Sequence, residues 1–186
     1  MNVKLPKKGV LLIAEPSIIG DLSFNRSVIL LSHHSPTGSV GFILNKVLDV
    51  TLNELVPDVK IPFKVYNGGP VEQDNLYFIH KTPHLIPNSV EIQKGIFWGG
   101  SFEKIINLIN SKKISQNDIK FFLGYSGWDA HQLEEELEKD SWVINSNLDV
   151  EEIITAPDAT YWKSEILKLG GNYVIWSNSP ENPSLN

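Results

Sequence analysis

Residues 27–44 read Ser27-Val-Ile-Leu-Leu-Ser-His-His-Ser-Pro-Thr-Gly-Ser-Val-Gly-Phe-Ile-Leu44. Two short apolar runs, Ser27–Ser32 and Val40–Leu44, flank a polar link, His33–Gly38, that holds Pro36 and Gly38. Proline presets one turn dihedral and glycine accepts the positive φ of a tight turn, so the stretch predicts two strands joined by a hairpin connection. Upstream, Val10-Leu-Leu-Ile-Ala14 is an apolar run ended by Pro16, the pattern of a buried strand. Downstream, further strands are expected at Phe63–Tyr66, Leu76–His80, Val90–Gln93, Ile119–Leu123 and Trp142–Ile144.

Helices are expected between and after these strands. Thr51-Leu-Asn-Glu54 matches a capping box and predicts a short helix through Val56, ended by Pro57. Ser101 can cap a helix to about Asn110, with Phe102, Ile105, Ile106 and Ile109 on one face. Asp129–Glu138 reads as a helix capped by Asp129, with Gln132 three residues on. Asp149–Thr155 and Thr160–Leu169 complete the set, the last stopped by Gly170-Gly171. Strands first and interleaved helices later give an α+β or mixed α/β class, not a doubly wound parallel sheet. No repeat or linker interrupts the 186 residues, so one domain over 1–186 is expected, with 176–186 a loose polar tail.

Composition bears on function by exclusion. The chain has no cysteine, which removes disulfides, thiolate metal sites and cysteine nucleophiles, and fits a reducing, cytoplasmic compartment. The run Val10–Ala14 is too short for a signal peptide, and nothing approaches the ~18 apolar residues that would cross a bilayer. The net charge is −6, and Arg26 is the only arginine. Nucleic-acid affinity rests on Lys and Arg against phosphate, and the guanidinium fork is the commonest specific contact to guanine. The balance therefore argues against direct nucleic-acid binding and gives no reason to expect a membrane.

Candidate chemistry gathers at glycine turns. Gly124-Tyr-Ser-Gly-Trp128 lies between an expected strand and an expected helix, where a hydrolase nucleophile elbow sits. Trp128 occupies the place of the second elbow glycine, and the only later histidine, His131, follows too closely to serve as an independent base. The favoured reading is a tight strand-to-helix crossover in which Trp128 packs. Trp98-Gly99-Gly100-Ser101 leads into a helix, and its N–H groups could meet a small anion. Neither this pair nor Asn67-Gly68-Gly69-Pro70 carries a phosphate-binding lysine. His33, His34, His80, His84 and His131 lack ligand spacing and are expected in turns or on the surface, so no metal and no cofactor is assigned. Asp21, Phe24, Asn25 and Arg26 form a polar patch in which Arg26 can pair with Asp21, and Glu134–Glu138 reads as a solvated helix face.

These segments together resemble the YqgE/AlgH family of bacterial proteins. The resemblance runs from Gly9 to about Gly170 and rests on Gly9–Ala14, Asp21–Val28, Gly38 through Gly41–Asn45, Gly68–Val71, Phe97–Glu103, Phe122–Trp128, Gln132–Glu134 and Ser141-Trp142. It implies an α+β fold in which a bent, branching, mainly antiparallel sheet closes into a pseudo-barrel with helices around it. Members are commonly labelled transcriptional regulators, but no biochemical activity is established for the family and no catalytic residue carries over. The leading expectation is a non-enzymatic binding or regulatory protein acting through a protein or small-molecule partner. The alternatives are a hydrolase-like, ligand-binding enzyme and, against the charge, a DNA-binding regulator. The candidate site residues are Asp21, Arg26, Trp98, Gly99, Gly100, Ser101, Tyr125, Ser126 and Trp128, with none assigned as catalytic.

Overall fold

The computed structural model describes residues 5–16, 23–155 and 160–177. The run 10–14 is apolar throughout because both faces of its strand are covered. In β1 (Leu11–Ala14), Leu11 and Ile13 enter one core cluster, while Leu12 and Ala14 enter another on the opposite face. β2 (Val28–Ser35) and β3 (Gly38–Ile43) form the expected hairpin, but its strands run further than the sequence reading allowed. Ser35 pairs with Gly38, so only Pro36 and Thr37 make the turn, and His33 and His34 are strand residues, not turn residues. The register shifts between Leu31 and His33, a bulge that bends the strand and re-aims the side chains beyond it.

Two strands were not anticipated, β4 (Val47–Thr51) and β8 (Ile96–Trp98). Between them come α1 (Leu52–Leu55), β5 (Lys64–Asn67), β6 (Val71–His80) and β7 (Val90–Gln93). The Glu54 carboxylate accepts from the Thr51 N–H at 2.7 Å, as the capping pattern required. α2 (Phe102–Asn110) comes next, with the Ser101 hydroxyl accepting from the Lys104 N–H at 3.4 Å. Its buried stripe is Ile105, Leu108 and Ile109, packed on Phe78, Phe121 and Val65.

The largest departure lies in β9 (Ile119–Asp129), whose eleven residues run straight through the segment read as a crossover. The helix expected from Asp129 begins later, as α3 (Gln132–Glu138), with the Gln132 amide oxygen accepting from the Asp129 N–H at 2.9 Å. β10 (Trp142–Asn145), α4 (Val150–Thr155) and α5 (Thr160–Leu169) lie where expected. A short α6 (Tyr173–Trp176) comes after the Gly170-Gly171 stop, so the expected tail starts in a helix; residues 178–186 lie outside the described residues.

The fold is α+β; among the described residues ten strands form one mostly antiparallel sheet, eight in the order β10-β1-β2-β3-β9-β6-β8-β7, with β4 on β5 and β5 on β9 off that path. β9 is the branch strand. One edge takes β6 from Ile119 to Tyr125; the other takes β5, in parallel, at Phe121–Leu123 and then β3 at Ser126–Asp129. Among the described residues the path ends at β10 and β7, so the sheet branches but stays open and does not close into a pseudo-barrel. Gly68 sits at the fork. Its N–H donates to the Leu123 carbonyl at 2.8 Å, and its own carbonyl accepts from the Ile43 N–H at 3.0 Å and the Ser126 hydroxyl at 3.1 Å.

Candidate functional site: a glycine-floored groove on three strands

The side chains of β2, β3 and β9 that point away from the core form two rows. His33 pairs with Val40, and Val40 with Gly127; Ser35 pairs with Gly38, and Gly38 with Asp129. Residues in register across a sheet share a face, so each row places a glycine beside larger neighbours. Neither glycine can be replaced freely. A Cβ on Gly38, at φ 144°, would stand 2.7 Å from the Trp128 carbonyl oxygen, and one on Gly127 would stand 3.2 Å from Cε2 of Tyr125. The result is a concavity of about 530 Å³ with bare backbone in its floor. His33, Ser35 and Thr37 line one side, Val71 and Tyr125 the other, and Asp129 and Gln132 one end.

Hydrogen bonding divides the lining in two. Ser35 Oγ and Thr37 Oγ1 bond each other at 2.9 Å, and Ser39 Oγ bonds His34 Nδ1 at 2.8 Å. Gln132 is held at both ends, since its Nε2 donates to Glu136 Oε1 at 2.9 Å. Among the described residues, the side chains of His33, Tyr125 and Asp129 make no hydrogen bond or ion pair within the chain. Beneath the groove Trp128 is buried against Phe24 and Trp142. Both indoles donate to Glu136 Oε2, at 2.9 and 2.7 Å, so one carboxylate fixes the support and, through Gln132, the end of the groove.

The candidate residues read from sequence fall in separate places. Asp21 lies outside the described residues, and with it the expected pairing to Arg26. The Arg26 guanidinium stands 5.0 Å from the Trp162 ring centre, and its carbonyl accepts from Asn45 Nδ2 at 2.9 Å. Trp98, Gly99, Gly100 and Ser101 form the turn between β8 and α2. Two of the N–H groups there are in use: Gly99 donates to the Phe78 carbonyl at 3.2 Å and Ser101 to the Pro87 carbonyl at 3.1 Å. His80 is fully buried beneath this turn. The Thr82 N–H donates to its Nδ1, so Nε2 carries the proton and donates to the Gly99 carbonyl at 3.2 Å. Burial pushes the His80 pKa below the usual imidazole value, against the opposing effect of that bond.

Tyr125, Ser126 and Trp128 all lie on β9, but only Tyr125 and Trp128 line the groove. Ser126 faces inward, fully buried, with its hydroxyl committed to Gly68. Trp98 pairs with Ile79 and Ile79 with Lys120, which puts the β8–α2 turn about 20 Å from Ser126 at ~3.4 Å per strand residue.

Comparison with known proteins bears on the family and the fold. An AlgH-like family model matches residues 11–174. A UPF0301 protein of Cytophaga hutchinsonii is 39% identical over 182 residues, covering 96% of this chain and 98% of the relative. One from Bacteroides fragilis is 38% identical, covering 100% of this chain and 94% of the relative. The chain belongs to the AlgH-like family. The solution structure of the AlgH protein from Pseudomonas aeruginosa aligns with a TM-score of 0.72 at 25% identity, covering 97% of this chain and 98% of that one. A crystal structure of protein DIP2367 from Corynebacterium diphtheriae shares the fold, with a TM-score of 0.76 at 23% identity over 96% of this chain and 95% of that one.

Within this AlgH-like chain, Ser35, Thr37, Gly38, Ser39, Val40, Val71, Gly127, Asp129 and Gln132 line the groove without standing out in the sequence as site residues, and His33 reads there as part of a turn. The usable signal was an alternation of two, His33 and Ser35 on one strand and Tyr125, Gly127 and Asp129 on another. It was masked because Gly127 and Gly38 read as turn punctuation.

Proposed function

We propose that this AlgH-like protein is a non-enzymatic binding protein, working in the cytoplasm, whose protein or small-molecule partner is held in the groove of β2, β3 and β9. The observation that carries the reading is the set of three polar side chains, His33, Tyr125 and Asp129, unbonded among the described residues and facing a concavity of about 530 Å³. Binding sites of this size pair a few placed polar groups with apolar walls, here Val40 and Val71. The hydroxyl that a hydrolase reading would use, that of Ser126, is buried in the sheet as a strut for Gly68. A net charge of −6 and a single arginine weigh against direct DNA reading, which draws its affinity from phosphate neutralisation. Among the described residues no helix is long and apolar enough to cross a membrane.

The test is a chemical-shift survey of the ¹⁵N-labelled protein with small cations, anions and neutral polyols. Saturable shifts grouped at residues 33–40 and 125–132 are the expected result. Saturable shifts confined to Trp98–Ser101 and Arg26, with the groove silent, would move the site elsewhere and sink the reading.

A further inference from the structure

We propose that the groove recognises a positively charged amino or guanidino group, seated between the Asp129 carboxylate and the Tyr125 ring; this rests on the reading that the groove is the contact site. The lining holds one acidic side chain, Asp129, and no lysine or arginine. Asp129 is exposed and its carboxylate is unbonded among the described residues, while its backbone N–H is fixed by Gln132 at 2.9 Å. A carboxylate held in place with open acceptor sites suits a charge-assisted donor, the stronger class of hydrogen bond.

The surroundings favour the same sign. Glu136 sits behind Gln132, and on the far face of the sheet Glu134 lies 3.7 Å from His34. With a chain charge of −6, acids behind this end of the groove weigh toward a cation over an anion. The aromatic wall adds a second contact. The ring of Tyr125 lies alongside Gly127, where a Cβ would stand 3.2 Å from Cε2 of Tyr125 and 3.6 Å from Cγ2 of Val71, so ring and valine together wall the glycine floor. It packs nearly perpendicular to the Tyr77 ring, at 5.7 Å between centres, which restrains its orientation. A cation over the face of a fixed ring is attracted by the ring's negative quadrupole face. His33 stands diagonally across β3 from Asp129, roughly 12 Å away at ~4.8 Å between strands and ~3.4 Å per residue. It offers a second polar group to a ligand of amino-acid or polyamine length.

The same chemistry is carried by free amines and by Lys or Arg side chains of a peptide, and a titration separates them. The ¹⁵N-labelled full chain is titrated with spermidine, argininamide and the peptide Gly-Arg-Gly, against sodium chloride at matched ionic strength, glucose and acetate. The expected result is saturable shifts of the Gly38 and Gly127 amides and the Trp128 indole with at least one cation beyond the salt control. Asp129→Asn should weaken the apparent affinity roughly tenfold, as loss of a charged hydrogen bond does, whereas Asp74→Asn on an exposed stretch of β6 should leave it unchanged. Saturation by free amines assigns a small-molecule source; saturation by the peptide alone assigns a protein source. Cation shifts that match sodium chloride, or that persist at full affinity in Asp129→Asn, overturn the inference. Glucose or acetate filling the groove while cations do not would overturn it and leave the binding reading standing. Silence of the groove with every probe defeats both.

Discussion

Two glycine pairs look alike in the sequence and are constrained differently in the fold. Gly68-Gly69 comes after β5 and lies where the sheet forks; Gly99-Gly100 comes after β8 and turns into α2. At the fork there is no room: a Cβ on Gly68 would stand 2.2 Å from the Gly124 carbonyl oxygen, and one on Gly69 would stand 2.3 Å from the Tyr125 carbonyl. At Gly99 a Cβ would meet nothing within 4 Å, and the requirement is only its left-handed φ of 68°. Packing demands the first pair and Gly100 as well, where a Cβ would stand 2.6 Å from Cγ2 of Ile86 and 2.9 Å from the Pro87 carbonyl oxygen; Gly99 alone of the four is held to glycine by backbone conformation only. A pair of glycines in a sequence therefore marks a constraint without saying which kind.

Substitutions can separate the two kinds. Gly68→Ala should have the largest effect, since a backbone carbonyl cannot yield without moving β9; a loss of about 3 kcal/mol or more is expected by denaturant titration. A loss under ~1 kcal/mol would show that the fork relaxes and would break the contrast. Gly99→Ala should cost only the left-handed strain of a non-glycine residue, about 1–2 kcal/mol, with the structure unchanged. Ser126→Ala removes the hydroxyl donor at the fork but leaves the Gly68 carbonyl its bond from Ile43, so about 1 kcal/mol is expected. A larger loss would mean that the hydroxyl, rather than the backbone, closes the fork.

The smallest expected effect is a pH dependence at the Gly99 turn. The folded state lowers the pKa of His80, while the unfolded chain keeps about 6.5. Between those values the unfolded state binds the extra proton, so stability is full above about pH 6.5 and falls as pH drops through the folded value. Thermal unfolding followed from pH 7.5 to 5 should show this decline, and His80→Gln should flatten it. An unchanged decline in that variant would assign it to other groups.

Much of the sheet was legible because its signals are local. The run Val10–Ala14 is apolar on both faces, and β1 is indeed covered on both. Ser101 announced α2, and Gly170-Gly171 ended α5, by chemistry confined to a few residues. β9 beyond Leu123 was illegible for a nonlocal reason. Gly124, at φ 70°, punctuates the strand because the Gly69 and Val71 carbonyls crowd it, with a Cβ 2.6 and 2.7 Å from them. Those neighbours lie some fifty residues away in sequence, and only the pairing reveals them. The groove was missed with it: Tyr125 and Trp128 were singled out, but as parts of a turn. Arg26 and the β8–α2 turn were grouped with them by residue type alone, and the register sets them apart along the sheet.

The three-way pairing of β9 also orders events in time. β3, β5 and β6 all precede residue 81, and each needs an edge that the chain does not supply until residues 119–129. During synthesis β3, β5 and β6 each wait with one edge open, though β2, β4 and β8 can already pair with the other, since distant pairings close late and slowly. A nascent chain stalled before Ile119 should therefore stay a chaperone client, and one that has cleared Asp129 can zip three seams at once.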